Sequence, residues 1–131
     1  MSGREIITQL NCKDIQSIQH SIISSKQVLI VKFTATWCGP CKRIKNDCYS
    51  MFKQLPSNIL IADLDVDLEK NTEFYSFMKR KRMVNGIPVI MAWFPRKDRD
   101  FWYVPDDSVT GGDINAIKDF LQRVYQRSLS I

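Results

Sequence analysis

Two cysteines separated by two residues, Cys38 and Cys41, are the side chains best suited to do chemistry in this sequence. Thiolates are both nucleophiles and metal ligands, so such a pair serves either thiol–disulfide exchange or one half of a zinc site. The pair lies in the segment Trp37-Cys38-Gly39-Pro40-Cys41. Gly39 permits a tight turn, and Pro40 suits a first helical turn because it has no N–H to leave unpaired there. The motif is therefore predicted to begin a helix.

The start of a helix favours thiolate chemistry. Its unpaired N–H groups and the positive end of its dipole stabilise a negatively charged sulfur. Cys38 has that position, and Lys42 adds nearby positive charge. Cys41 follows within one helical turn, close enough to attack a mixed disulfide formed on Cys38. The residues thus predict that Cys38 attacks a substrate disulfide and that Cys41 resolves the intermediate.

The zinc interpretation of the same pair lacks a second set of ligands. Cys12, Cys48 and His20 are the other candidate ligands, and they form no paired ligand spacing. A C-x-x-C segment that runs from a strand into a helix is typical of redox chemistry. We therefore expect no metal and no organic cofactor.

Strands and helices alternate in the hydrophobic pattern on either side of the motif. The pattern predicts strands over residues 5–10, 28–33, 59–66, 89–94 and 101–104, and helices near residues 15–23, 41–52 and 69–82 and from residue 113 onward. This order predicts an α/β fold in which a mixed five-stranded sheet is flanked by four helices.

Composition sets the broad class of the protein. A chain of 131 residues with 44% hydrophobic residues fits a single domain, residues 1–131. No apolar run is long enough to span a membrane, and the N-terminus lacks the layout of a signal peptide, so we expect a cytoplasmic protein with no membrane partner. Four cysteines are too few and too unevenly spaced for a secreted disulfide framework. The net charge of +5 mildly favours acidic protein surfaces as partners.

Two segments resemble the thioredoxin family. Ala35-Thr36-Trp37-Cys38-Gly39-Pro40-Cys41-Lys42 is similar to the active-site segment of thioredoxins, and Gly86-Ile87-Pro88 is similar to their Gly-Ile-Pro loop. The resemblance extends over essentially the whole domain and implies the thioredoxin fold, with a cis peptide before Pro88 that faces the cysteines. From the sequence alone, Pro88 could equally be a trans residue that begins an edge strand.

The resemblance also implies a function and a binding groove. It implies a protein-disulfide reductase whose substrates are disulfide-containing proteins and whose dithiol is restored by a thioredoxin-reductase-like or other thiol system. The Gly-Pro insert is similar to that of reductases rather than strong oxidants. The groove would hold the backbone of the target chain between Trp37, Gly86, Ile87, Pro88, Val109, Thr110 and Gly111.

Lys32 is a departure from the family pattern. Thioredoxins usually carry a buried acidic residue at this place in the strand before the motif, and many carry a lysine on the next strand where this chain has Asp63. One interpretation is a charge-swapped Lys32–Asp63 pair beneath the active site, in which the buried lysine could lower the thiolate pKa. The other is that Lys32 extends its amine to the surface.

A second function remains open from the sequence. The substitution at Lys32 and two segments longer than in minimal thioredoxins, residues 74–85 and 95–107, fit a redox-capable interaction module that binds one dedicated protein. An oxidase or isomerase is favoured less, because Pro40 stands where such enzymes often have histidine. The basic run at residues 78–83 complements the dipole of a helix end, so nucleic acid is not favoured as a partner.

Overall fold

The computed structural model describes residues 4–131. Along the chain the elements are α1 Cys12–Ser25, β1 Val28–Thr34, α2 Gly39–Gln54, β2 Ile59–Asp65, α3 Glu69–Arg80, β3 Val89–Trp93, β4 Asp107–Thr110 and α4 Ile114–Ser128. The four helices and the mixed sheet confirm the predicted α/β class.

β1 lies inside the sheet, whose strand order is β2-β1-β3-β4. It pairs in parallel with β2 and antiparallel with β3, and β3 pairs antiparallel with β4. Residues 28–33 are all buried, as expected for a continuous apolar strand that is covered on both faces. α1 and α3 cover one face, and α2 and α4 cover the other.

The predicted strand over residues 5–10 is wrong, so the sheet formed within residues 4–131 has four strands and not five. Only Ile7 bridges to β2, through its partner Ala62. The backbone then turns toward α3, where the buried side chain of Asn71 accepts a hydrogen bond from Leu10 N at 2.8 Å and donates one to the Thr8 carbonyl at 2.9 Å. These bonds to a side chain replace the ladder that would have extended the sheet.

The predicted strand over residues 101–104 is also wrong. These residues form a turn, and the strand that pairs with β3 begins later, at Asp107. Arg99 holds the connection in a loop by donating to the Phe94 carbonyl and to the Asp106 carboxylate. Trp102 stacks on the Phe77 ring of α3 with centroids 5.0 Å apart, so its side chain packs on a helix.

The helix ends follow local signals. Asn11 caps α1 in a reciprocal hydrogen-bonded box with Asp14, and Asp113 accepts hydrogen bonds from the first amides of α4. α3 ends at Arg80 rather than at the predicted residue 82. Arg82 adopts a left-handed backbone (φ 61°), which is incompatible with a continuing helix.

Candidate active site

Cys38 stands where β1 gives way to α2, and it caps that helix. Its carbonyl accepts a hydrogen bond from Lys42 N at 3.1 Å, and its sulfur accepts one from Cys41 N at 3.3 Å. The two cysteines form a disulfide with Cα atoms 5.3 Å apart. The predicted position of the motif at a helix N-terminus is therefore confirmed, and the chain is described in its oxidised form.

The two cysteines differ in their access to solvent. Cys38 is 6% exposed and Cys41 is 1% exposed. An incoming disulfide can therefore reach Cys38 first, whereas the Cys41 side chain is almost fully covered. This asymmetry fits the predicted roles of an attacking and a resolving thiol.

The loop before β3 faces Cys38. The Ile87–Pro88 peptide is cis, and the Ile87 carbonyl oxygen lies 3.9 Å from the Cys38 sulfur. Pro88 is buried, and its carbonyl accepts a hydrogen bond from Gly111 N at 2.8 Å. The structure thus joins two of the loops predicted to form the groove and places one of them against the disulfide.

The remaining groove residues lie at the rim. The Trp37 side chain is 65% exposed, and its indole N–H donates to the Asp67 carboxylate at 2.8 Å. Gly86 begins the loop, Val109 is half-buried on β4, and Thr110 is exposed at the end of that strand. An exposed aromatic ring beside a disulfide offers apolar contact area to a bound chain.

Lys32 and Asp63 form a buried ion pair beneath the motif. They are register partners on the parallel strands β1 and β2, so both side chains project toward α2. The Lys32 ammonium lies 3.7 Å from Asp63 Oδ1, and the two side chains are 1% and 6% exposed. The interpretation that Lys32 reaches the surface is therefore wrong, and the charge-swapped pair exists.

Tyr49 is a third member of this buried cluster, and the sequence reasoning missed it. Its hydroxyl donates to Asp63 Oδ2 at 2.6 Å, and the Lys32 ammonium lies 5.8 Å from its ring centroid. Burial, followed by the hydrogen bond to Asp63 and the charge of that carboxylate, raises the pKa of Tyr49, which therefore stays protonated as a donor. The signal available in the sequence was that Tyr49 lies eight residues, about two helical turns, after Cys41, which places both residues on the same side of the helix.

A cavity of about 350 Å³ connects the ion pair to Cys41. Its wall is shared by β1, β2 and the first turns of α2. The lining residues are Thr8, Lys32, Thr34, Ala35, Thr36, Cys41, Lys42, Lys45, Tyr49, Asp63, Asp65 and Leu68. The resolving cysteine and the buried carboxylate therefore share one space.

The other two cysteines are not suited to exchange at neutral pH. Cys48 is fully buried, and burial raises its pKa. Burial and a hydrogen bond with Glu73 raise the pKa of Cys12 to about 11. Within residues 4–131, no group of three or more His, Cys, Asp or Glu side chains is arranged to hold a metal ion.

Comparison with known proteins decides the family. The thioredoxin family profile matches residues 10–122, which include both cysteines, the cis-proline loop and the buried ion pair. The chain belongs to the thioredoxin family. A thioredoxin-family domain with a Cys38–Cys41 disulfide has the chemistry of a thiol–disulfide oxidoreductase, and the expected family and fold are confirmed.

Individual relatives fit this assignment. Protein disulfide isomerase-like 2-3 of Oryza sativa subsp. japonica is 30% identical over 67% of this chain and 19% of its own length. Thioredoxin-like protein CITRX2, chloroplastic, of Nicotiana benthamiana is 32% identical over 72% of this chain and 48% of its own length. The crystal structure of thioredoxin from Trypanosoma brucei brucei superposes with a TM-score of 0.69 at 19% identity, covering 95% of both chains.

The curated relatives are longer than the region they share with this chain, which spans about half or less of their length. The shared region is therefore the thioredoxin-like domain itself. In residues 4–131, no helix combines the length and the apolar character needed to cross a membrane.

Proposed function

We propose that this protein reduces disulfides in other proteins. The observation that carries the proposal is the Cys38 sulfur, which caps α2, is bonded to Cys41 and faces the cis-proline loop. A loop beside a reactive sulfur can hold the extended backbone of a substrate next to its disulfide.

The reaction transfers two electrons from the protein dithiol to the substrate. The Cys38 thiolate attacks one sulfur of the substrate disulfide, and the other substrate sulfur leaves as a thiolate. Cys41, after losing its proton, attacks the Cys38 sulfur, which forms the Cys38–Cys41 disulfide and releases the second substrate thiol. A thioredoxin-reductase-like enzyme or a thiol pool then restores the dithiol, and we place this cycle in the cytoplasm.

Reduction of insulin disulfides by dithiothreitol tests the proposal without knowledge of the natural substrate. The wild-type protein should accelerate insulin precipitation, and Cys38→Ser should abolish the acceleration. Cys12→Ser is the matched control, because it removes a half-buried thiol outside the site and should leave the rate unchanged.

A folded wild-type protein without turnover would refute general reductase activity. The same result would support the interaction module, whose dedicated partner Cys41→Ser would retain as a mixed disulfide on Cys38. Equal loss of activity in Cys38→Ser and Cys12→Ser would also contradict the assignment of the reacting thiols.

A further inference from the structure

The C-terminal end of α3 presents a group of exposed cations. Residues 79–82 are alternating lysines and arginines, all exposed, and none of them pairs with a carboxylate within residues 4–131. Arg96, Arg99 and Arg123, in contrast, are each paired with an aspartate. The dipole of α3 offsets only about half a charge at this end. Most of the positive charge of residues 79–82 is therefore uncompensated and attracts anions from solution.

Aromatic rings hold these cations in place without neutralising them. The Lys81 ammonium lies 5.7 Å from the Phe77 ring centroid and 5.4 Å from that of Tyr103. The guanidinium carbon of Arg80 lies 5.8 Å from the Phe77 centroid. A ring attracts a cation through its quadrupole and carries no net charge. Tyr103 belongs to the segment 95–107, so this long connection fixes the cations while leaving their charge available to a partner.

The backbone at the end of α3 places one of the cations where glycine is usual. Arg82 N donates to the Lys79 carbonyl at 3.0 Å. Met83 N donates to the Met78 carbonyl at 2.9 Å. These two bonds close the helix in a Schellman motif, in which the residue after the cap is left-handed and most often glycine. Arg82 occupies that position with φ 61°, so the chain carries a charge where backbone conformation alone favours glycine.

The cations lie close to the loop that faces the disulfide. Arg82 precedes Ile87 by five residues, so their Cα atoms are at most about 18 Å apart. The Ile87 carbonyl oxygen is in turn 3.9 Å from the Cys38 sulfur. An extended chain spans about 18 Å with about five residues. A substrate held at the cis-proline loop can therefore reach residues 79–82 with side chains about five positions from its reacting cysteine.

The packing of the rings favours an acidic protein segment over nucleic acid as the partner. Binding of single-stranded nucleic acid depends on free aromatic faces on which bases stack. Phe77 already stacks on Trp102, with centroids 5.0 Å apart, and carries two cations as well. Tyr103 meets both of these rings edge-on. The rings therefore form a packed support for the cations and not a platform for bases.

We propose that residues 79–82, supported by Phe77 and Tyr103, form a cationic surface that docks an acidic segment of the substrate protein beside its reacting disulfide. This inference rests on the proposed disulfide exchange and names the class of substrate that the exchange favours. Attraction between the charges raises the rate of encounter with an acidic substrate. Contact with the cationic surface then holds that substrate at the loop while Cys38 attacks.

Reduction of designed disulfide peptides by the whole protein, with dithiothreitol as the recycling reductant, tests this surface. Each peptide has an internal disulfide, a neutral spacer of about five residues and a tail of glutamates or of glutamines, placed before or after the disulfide. In at least one orientation, kcat/KM for the glutamate peptide should exceed that for the glutamine peptide by about tenfold or more at low salt. The preference should disappear at about 1 M salt, where charges are screened within about 3 Å.

Replacement of residues 79–82 by glutamine should remove the preference and leave kcat/KM for the glutamine peptide unchanged. The matched control makes the same change in net charge at exposed lysines outside α3 and the active site, and it should keep the preference. The control substitutions are Lys26→Gln, Lys53→Gln, Lys97→Gln and Lys118→Gln. Circular dichroism checks that both variants are folded.

Equal kcat/KM values for the two peptides in both orientations would overturn the inference while leaving the proposed function intact. A preference that persists in the 79–82 variant, or that is lost equally in the control, would do the same. Reduction of neither peptide by the folded wild type would refute the proposed function and this inference with it. If a labelled oligothymidylate binds more tightly than the glutamate peptide, and loses that binding in the 79–82 variant, the choice of an acidic protein segment is overturned.

Discussion

Asp63→Asn should lower the free energy of unfolding by about 4 kcal/mol, because it leaves the Lys32 ammonium buried without its counter-charge. Lys32 is 1% exposed, so its ammonium lies where bulk solvent screens its charge weakly. Asparagine has nearly the same shape, and its side-chain oxygen can still accept a hydrogen bond from Tyr49. The substitution therefore removes charge while changing packing little.

The expected size follows from the geometry of the pair. Two unit charges 3.7 Å apart attract each other by about 4.5 kcal/mol at an effective dielectric constant of about 20. This value lies inside the range of roughly 3–5 kcal/mol for breaking a buried pair by removing one partner. A domain with a stability of about 5–15 kcal/mol stays folded after such a loss, but only narrowly at the lower end.

Urea unfolding followed by circular dichroism near neutral pH measures the effect. Asp98→Asn is the matched control, since it makes the same change in an exposed ion pair. Asp98 pairs with Arg96, and the Asp98 side chain is 85% exposed. This control substitution should cost less than about 1 kcal/mol. Lys32→Met/Asp63→Asn should recover most of the stability lost by Asp63→Asn, because the unpaired charge is gone.

Two results would refute this reasoning. If Asp63→Asn costs no more than the exposed control, the pair is not held in a low-dielectric interior. If the double variant is no more stable than Asp63→Asn, the cost does not come from the unpaired ammonium.

Three further outcomes are expected. Gly112→Ala should cost about 1 kcal/mol or more in urea unfolding, because its new Cβ would lie 3.2 Å from Pro40 Cβ, whereas Gly86→Ala meets open space and should be nearly neutral; equal effects would contradict the close contact. Alkylation of Cys12 by iodoacetamide should keep accelerating toward pH 11, because burial raises its pKa to about 11, whereas an ordinary thiol levels off above about 8.5. Burial alone would raise the pKa of Asp106, but hydrogen bonds and the charges of two arginines hold that pKa below its usual value. Its stabilisation is therefore complete above the unfolded pKa of about 3.9 and lost as the pH falls toward the lower folded value, and Asp106→Asn should flatten that part of an acid unfolding curve.

Local patterns were sufficient to predict the elements that carry the cysteines. The apolar run of β1 and the Pro40 signal at the start of α2 depend on neighbours in sequence, and both predictions are confirmed. The strands predicted over residues 5–10 and 101–104 failed for a common reason. In the first segment the backbone is bonded to Asn71, which is distant in sequence, and in the second it is held by Arg99 of the same loop. The hydrophobic periodicity of a sequence does not indicate such bonds.

The buried cluster shows the same limit within the site. Lys32 and Asp63 could be paired from sequence because neighbouring parallel strands place register partners side by side. Tyr49 could not, because its contact with Asp63 depends on how α2 is rotated over the sheet. The spacing of about two helical turns places Tyr49 and Cys41 on the same side of α2, but this spacing does not predict the contact between Tyr49 and Asp63.

The exchange of charges between Lys32 and Asp63 leaves the architecture of the site unchanged. Register partners on parallel strands project to the same face, so an acid on β2 lies over the same cavity as an acid on β1. With the acid on β2, the Asp63 carboxylate lies within reach of Tyr49 on α2, the helix that also carries Cys41. The carboxylate is therefore oriented by the same helix that carries the resolving thiol. It follows that the Lys32–Asp63 pair and its hydrogen bond to Tyr49 join both strands to the helix that carries the cysteines.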